Sequence, residues 1–241
     1  GGIGSRVSNQ LRTTRETDAG FDLKYSLTPS LTLDTTYRTD FAQVEVDQQQ
    51  VNLTRFSLFF PEKRDFFLEN SGTFAVGAGN RNGNNPSANV LPFFSRRIGL
   101  SQAGTPIPIV GGARVTGTAG RNDVGALMMR TESLDATATS RAVPANNYMV
   151  GRYKRNLLRT SWLGATVTDR ESSTPGDYNR VYGPDVHFQF YRKLEIDSYL
   201  LRSDTPRRDG NNLAKDLLAA WKDDEWTVSG EYATVQPNFN P

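Results

Sequence analysis

The feature that most constrains the fold is a period-two alternation of apolar and polar residues along most of the chain. Every second residue from Phe21 to Leu27 is apolar, and the alternation resumes at Leu31 and Leu33 after the turn Thr28-Pro29-Ser30. Successive side chains of a strand point to opposite faces, so this pattern predicts a β-hairpin with one apolar face. Helical periodicity is scarce. We therefore expect an all-β, antiparallel protein.

From residue 107 onward, strand-like segments follow one another, separated by Gly, Asn, Asp and Pro. Each has about ten residues, the length with which a tilted strand crosses a bilayer. The predicted strands lie near 108–119, 122–131, 147–156, 160–170, 181–191, 194–203, 212–222 and 225–235. In the last of these, Trp226, Val228 and Tyr232 share one face, with aromatic residues at both ends as in the interfacial girdles of membrane barrels.

Two observations keep other interpretations of the alternation open. Soluble β-sandwiches alternate in the same way, and Arg152, Lys154 and Lys222 place a charge on either face of their strands. The stretch from Asp216 to Trp221 also fits a short helix. The pattern alone therefore leaves both a membrane barrel and a soluble β domain open.

Composition excludes several classes of function. The 241 residues carry 28 Lys plus Arg and 26 Asp plus Glu, a net charge of +2 that gives no general attraction for nucleic acid. Cysteine is absent, so thiolate catalysis and Cys-based zinc sites are excluded. His187 is the only histidine, so a two-His metal site is excluded and a metalloenzyme would have to rely on oxygen ligands. We expect neither a cofactor nor a metal.

The sequence indicates one domain. No stretch has the composition of a linker between two cores, so residues 1–241 are predicted to form a single domain. The sequence has no apolar run of about eighteen residues, and its mean hydropathy is −0.55, which excludes a transmembrane helix. Because it starts at Gly1 without a signal segment and stops in the turn-like stretch 236–241, we expect a fragment of a longer protein.

An aromatic and ionic segment at 40–70 interrupts the strand pattern. Within it, residues 43–60 fit either a short helix, capped by Asn52 and ended by Pro61, or a strand with Phe56 and Phe60 on one face. A helix here would lie inside or beneath a barrel, because a lone helix does not join a barrel wall. The segment 77–89 has no apolar face and is predicted to be an exposed loop.

Three stretches carry a resemblance to a known family: Gly20 to Pro29, the run from Asp40 to Glu69, and Phe93 to Leu100. Together they resemble an uncharacterised bacterial family of outer-membrane-type β-barrel domains, which usually follow a family-nine-like carbohydrate-binding module. The resemblance implies an incomplete transmembrane-type barrel in the bacterial outer membrane, with lipid and carbohydrate as partners. The resemblance implies no catalytic residues in this chain.

The charged residues around the aromatic segment form the main candidate site. Its members are Arg55, Glu62, Lys63, Arg64, Asp65, Glu69, Arg96 and Arg97. Glu62 and Glu69 invite a glycosidase hypothesis, since such an enzyme needs two carboxylates across a sugar bond. Basic neighbours lower the pKa of a carboxyl group and keep it ionised. A general acid needs a raised pKa instead, so we favour a structural ion-pair network.

Three weaker motifs lack the context that their chemistry requires. Asp40, Glu45 and Asp47 offer oxygen ligands to Ca²⁺, but their spacing matches no calcium loop. His187 with Ser161 or Ser198 and a nearby Asp lacks the nucleophile turn of a triad enzyme. The pair Gly111-Gly112 lacks the strand-to-helix context of a phosphate loop and is better explained as a kink in a curved sheet.

The leading functional hypothesis is a non-enzymatic component of the outer membrane that anchors or passes glycan-related material. The link to carbohydrate rests on the resemblance alone. Two alternatives stay open: a carbohydrate-active hydrolase that degrades glycans through Glu62 and Glu69, and a soluble β-rich binding module.

Overall fold

The computed structural model describes residues 20–38, 62–77, 90–101, 106–136 and 141–241. These residues form one antiparallel sheet of ten strands in which every strand pairs with its neighbours along the sequence. The strands are β1 (Phe21–Thr28), β2 (Leu31–Tyr37), β3 (Ile109–Ala119), β4 (Asn122–Thr131), β5 (Asn146–Asn156), β6 (Trp162–Ser172), β7 (Tyr178–Phe190), β8 (Leu194–Asp204), β9 (Leu213–Lys222) and β10 (Thr227–Val235).

These bounds confirm the strand prediction, including the hairpin turn at Pro29 and Ser30. The stretch Asp216 to Trp221 belongs to β9, so its helical alternative is wrong. Leu217 and the neighbouring apolar residues pair across β8, and this tertiary pairing overrides local helix propensity. Gly111 lies at a register irregularity between β3 and β4, as expected of a kink.

The three longest connections between strands share one end of the sheet. At one end, β1–β2, β3–β4, β5–β6, β7–β8 and β9–β10 are joined through residues 29–30, 120–121, 157–161, 191–193 and 223–226. At the other end lie the connections 38–108, 132–145, 173–177 and 205–212. We call these the short-turn end and the long-connection end.

The two faces of the sheet differ in chemistry. The open face carries exposed apolar side chains, among them Phe21, Leu23, Tyr25, Met128, Met149, Leu163, Val167, Leu217 and Tyr232. The covered face carries buried polar and charged side chains, among them Asp34, Arg114, Thr116, Arg152, Thr166, Asp185, Asp197 and Asp216. Between these polar residues the covered face also buries two apolar clusters, so it is mixed in character.

Two segments, residues 62–77 and 90–101, lie over the β4–β5 part of the covered face, and we call them the covering segments. They contain α1 (Asp65–Leu68) and two short 3-10 helices, Ser71–Phe74 and Ser95–Arg97. Their buried side chains Phe67, Phe74 and Ile98 pack in one apolar cluster with residues of the sheet, namely Ile109, Leu127, Met129 and Val150. The described part of the predicted insertion, from residue 62 to 70, therefore packs on the covered face.

The end of the chain packs on the β7–β9 part of the same face. Phe239 is buried against Val181, Leu201 and Ala214. The backbone N–H of Asn240 donates to Ser203 Oγ at 3.0 Å. Residues 236–241 thus form a turn-like tail rather than another strand, as the sequence indicated.

The sheet is open, because β1 and β10 each pair with a single neighbour among the described residues. The all-β antiparallel architecture is therefore confirmed. Closure into a barrel stays a prediction.

Within the described ranges, no helix has both the length and the apolar character required to cross a membrane.

Candidate functional site

The first part of the predicted ionic cluster is a compact group around Glu62, Arg64 and Ser95. Arg64 Nε and Nη2 donate to the two Glu62 oxygens at 2.8 and 2.7 Å, and Ser95 Oγ donates to Glu62 Oε2 at 2.7 Å. Arg64 also donates to the carbonyls of Ile98 and Ser95 and lies over the Phe67 ring. The group joins the segment 62–77 to the segment 90–101.

This environment keeps Glu62 ionised. Burial alone would raise its pKa, but the hydrogen bonds from Arg64 and Ser95, with the charge of Arg64, lower the pKa to about 2. A general acid needs the opposite shift, so Glu62 is poorly suited to donate a proton to a leaving group.

Glu69 belongs to a second group, centred on Arg114 of β3. Arg114 is buried and pairs with Asp34 of β2 through Nη2 and Oδ2 at 2.6 Å. The same guanidinium donates to the carbonyls of Phe66 and Glu69, and its Nη2 lies 3.6 Å from the Glu69 carboxylate. Lys24 also contacts Glu69. Different basic residues thus hold Glu62 and Glu69, and no described contact joins the two carboxylates.

The remaining predicted members are spread around these groups. Arg96 is buried, whereas Lys63 and Asp65 are exposed at the start of α1. Arg97 donates to the Pro241 carbonyl at 2.8 Å, which ties the second covering segment to the C-terminal tail. Arg55 and the calcium candidates Asp40, Glu45 and Asp47 lie outside the described residues.

The most deeply buried ion pair joins two strands that are not neighbours. Arg152 of β5 reaches Asp185 of β7 with Nη1–Oδ1 and Nη2–Oδ2 distances of 2.5 and 2.7 Å. Asp185 Oδ2 also accepts the backbone N–H of Gly77 at 2.8 Å, which anchors the covering segment to the sheet. The pair is a bidentate, charge-assisted contact of the strong kind.

A third group lies on the covered face toward the short-turn end. His187 Nδ1 of β7 lies 2.7 Å from Asp197 Oδ1 of β8, and the imidazole stacks on Trp162 at 5.9 Å between centroids. Glu195 lies beside them and contacts Lys222 Nζ at 3.3 Å.

Ser161 and Ser198 were the possible nucleophiles of a triad with His187, but both make other contacts. Ser161 Oγ accepts the backbone N–H of Gln189 at 3.0 Å, and Ser198 Oγ donates to the Asp216 carbonyl at 2.7 Å. Neither serine is hydrogen-bonded to His187 in the described contacts. The described residues therefore offer an imidazole–carboxylate pair without an adjacent nucleophile.

Sequence reasoning did not identify Asp185, Glu195 or Asp197. For the His187–Asp197 pair a signal was available, because both residues are five positions from Arg192 in the tight turn between β7 and β8. A tight hairpin turn fixes the register, so residues at equal distance from its centre face one another. No comparable local signal links Arg152 to Asp185.

The comparisons with known proteins give one result. The model of a family described as a domain of unknown function (DUF5916) matches residues 4–107, less than half of the chain. The matched part includes β1, β2 and both covering segments. No curated protein and no solved structure matches. A domain of unknown function assigns no activity.

Proposed function

We propose that the sheet is the wall of an outer-membrane β-barrel, with the open face toward lipid and the covered face toward a polar interior. In this proposal the chain is a non-enzymatic membrane component, and its sheet is completed by further strands. Support comes from the resemblance of the N-terminal part to outer-membrane-type β-barrel domains. It also comes from the exposed apolar residues on one face of the sheet and the buried ion pairs on the other.

The observation that carries the proposal is a continuous apolar band on the open face. On β7 the band runs from Tyr182 to Phe190, about 26 Å along the strand at a rise of about 3.3 Å per residue. Exposed charges mark the edge of the band toward the long-connection end, where Arg202 pairs with Tyr182 and Lys215 pairs with Leu200. Membrane barrels present an apolar band about 25 Å tall between two polar rims.

The covered face supports the same proposal from the opposite side. Soluble β-sandwiches bury their apolar face, whereas this sheet leaves an apolar face exposed and buries the Arg114–Asp34 and Arg152–Asp185 ion pairs beside the apolar clusters of its covered face. Exposed apolar patches that large are rare on soluble monomers. A barrel wall that faces lipid would explain both the exposed apolar side chains of the open face and the buried ion pairs of the covered face.

The covering segments favour anchoring over free passage in this conformation. Residues 62–77 are fixed to the covered face by Arg114 and Asp185, and residues 90–101 pack there through Ile98. They would fill part of a barrel interior, so passage of glycan material would require them to move. The carbohydrate role itself continues to rest on the family resemblance.

Tryptophan fluorescence of the full-length protein tests the orientation. Trp221 lies on the open face and is 43% exposed, whereas Trp162 lies on the covered face. Two variants of the full-length protein, each retaining Trp221 or Trp162 and with every other tryptophan changed to Phe, are reconstituted in bilayers that contain brominated lipid. We expect strong quenching of Trp221 and weak quenching of Trp162. Equal quenching, or a protein that stays monomeric in detergent-free buffer, contradicts the proposal.

The hydrolase alternative has its own test. Glycan turnover by the full-length protein is compared between wild type, Glu62→Gln and Glu69→Gln. Loss of activity in stably folded variants would replace the non-enzymatic proposal. The ionised state of Glu62 argues against that outcome.

A further inference from the structure

We propose that His187, Glu195 and Asp197 form a binding site for one divalent transition-metal ion on the covered face. The site is separate from the ionic cluster of the covering segments. It does not depend on whether the open face contacts lipid, so the two proposals can fail independently.

Strand register places the three side chains together. His187 of β7 and Asp197 of β8 are direct cross-strand partners, and Glu195 precedes Asp197 by two residues on the same strand. Side chains two residues apart on a strand leave the same face, so all three project from the covered face. The tight connection at residues 191–193 fixes this arrangement.

The distances suit a small ion after a modest adjustment. One ligand atom from each residue lies within 4.8 Å of the other two. Ligands of a tetrahedral ion with bonds of about 2.1 Å lie about 3.4 Å from one another. The 2.7 Å separation of His187 Nδ1 and Asp197 Oδ1 must therefore open, and the longest separation must close by about 1.4 Å at most.

The charges in the group favour a cation. Glu195 and Asp197 offer carboxylate oxygens within 4.8 Å of one another beside a single imidazole, and the Asp197 side chain is fully buried. Two carboxylates this close repel one another, and a bound cation relieves that repulsion. Lys222 contacts Glu195 at present, but its side chain is 62% exposed and can withdraw toward solvent.

The donor set selects the class of metal. One imidazole nitrogen and two carboxylates suit borderline divalent ions such as Zn²⁺, Mn²⁺ or Co²⁺ better than Ca²⁺, which takes oxygen ligands. The side chains of His187 and Glu195 are 17% and 23% exposed, which leaves a route for the ion and room for a water ligand. The stacked Trp162 fixes the plane of the imidazole.

His187 is the only histidine of residues 1–241, and comparison with the His187→Gln variant identifies its imidazole signal in the full-length protein. The full-length protein, prepared without a polyhistidine tag, labelled with ¹⁵N-histidine and stripped with chelator, is titrated with Zn²⁺. We expect the His187 imidazole signal to shift and saturate at one equivalent, and Co²⁺ to give the visible absorption of a bound ion. An imidazole signal that does not respond while zinc binds elsewhere would overturn the proposal, as would absence of binding.

Matched variants separate the site from non-specific binding. Glu195→Gln keeps the shape of a partly exposed side chain and should weaken zinc binding by about tenfold or more. Glu225→Gln, an exposed change in the turn at the same end of the sheet, should leave affinity unchanged. Lys222→Met removes the competing cation and should strengthen binding several-fold. Equal affinities in Glu195→Gln and Glu225→Gln would show adventitious binding and overturn the proposal.

Discussion

The guanidinium of Arg152 on β5 crosses Gly164 on β6 to reach both carboxylate oxygens of Asp185 on β7. A Cβ atom at position 164 would lie 2.5 Å from Asp185 Oδ1 and 2.7 Å from Arg152 Nη1. The glycine is therefore required by close approach rather than by backbone conformation. Gly77 joins the same group through its N–H, so one contact secures three strands and the covering segment.

Gly164→Ala should destabilise the protein by about 1–3 kcal/mol, because the methyl group would displace a buried ion pair. The matched control is Gly230→Ala on β10, where an added Cβ meets no atom within 4 Å. The measurement is the free energy of unfolding in urea. Equal stabilities of the two variants would contradict the packing argument.

Arg152→Met should cost about 3–5 kcal/mol, since it leaves the Asp185 carboxylate buried without its cation. The double variant Arg152→Met/Asp185→Leu should recover much of that loss, because it removes both charges. A double-mutant cycle on the free energy of unfolding measures the coupling. Additive losses would show that the two side chains do not depend on one another.

Glu62→Gln should lower the free energy of unfolding by about 1.5–3 kcal/mol at neutral pH, because the charged contacts to Arg64 and Ser95 weaken. The pKa of Glu62 is lowered from 4.5 to about 2 on folding, so its contribution is fully present above pH 4.5 and is lost as the pH falls toward 2. Urea titrations at several pH values should show the wild-type advantage disappearing in that window. Glu132→Gln, an exposed change, serves as the control.

The Met128→Arg variant distinguishes the hypothesis of a lipid-facing barrel wall from that of a soluble domain. Met128 is 60% exposed, so in water this change should alter stability by less than about 0.5 kcal/mol. In a bilayer, arginine on the lipid face should cost more, from about 1 kcal/mol near the interface up to about 2–4 kcal/mol at the midplane. Stability in lipid vesicles, measured against Ser133→Arg just beyond β4, distinguishes the two cases. Equal behaviour of the two variants would argue for the soluble alternative.

Local pattern was sufficient to predict the strands. Leu163, Ala165 and Val167 alternate with polar residues over a length that fits one strand, and β6 spans Trp162–Ser172. Alternation also predicted one apolar face, because the side-chain period of a strand is two, and Met128 lies on the open face as this argument requires. It did not predict the covered face, where Arg152 is buried on the same side of the sheet as the apolar residues Leu127 and Val150.

The candidate sites were less predictable, because they depend on contacts between distant parts of the chain. Arg152 meets Asp185 across an intervening strand, and Arg114 meets the carbonyls of Phe66 and Glu69 through a covering segment. Such contacts depend on register and on the path of long connections, which local sequence does not encode. Glu62 and Glu69, close in sequence, are held by different partners for the same reason.

The connection across residues 38–108 has a kinetic consequence. Every other neighbouring pair of strands is joined by a much shorter connection, so those pairs can zip together from nearby turns. The β2–β3 pairing must instead close a long loop and bear a larger entropic cost. We expect the β1–β2 hairpin to dock last during folding, and pulse-labelling hydrogen exchange would then show its amides gaining protection after those of β5–β9.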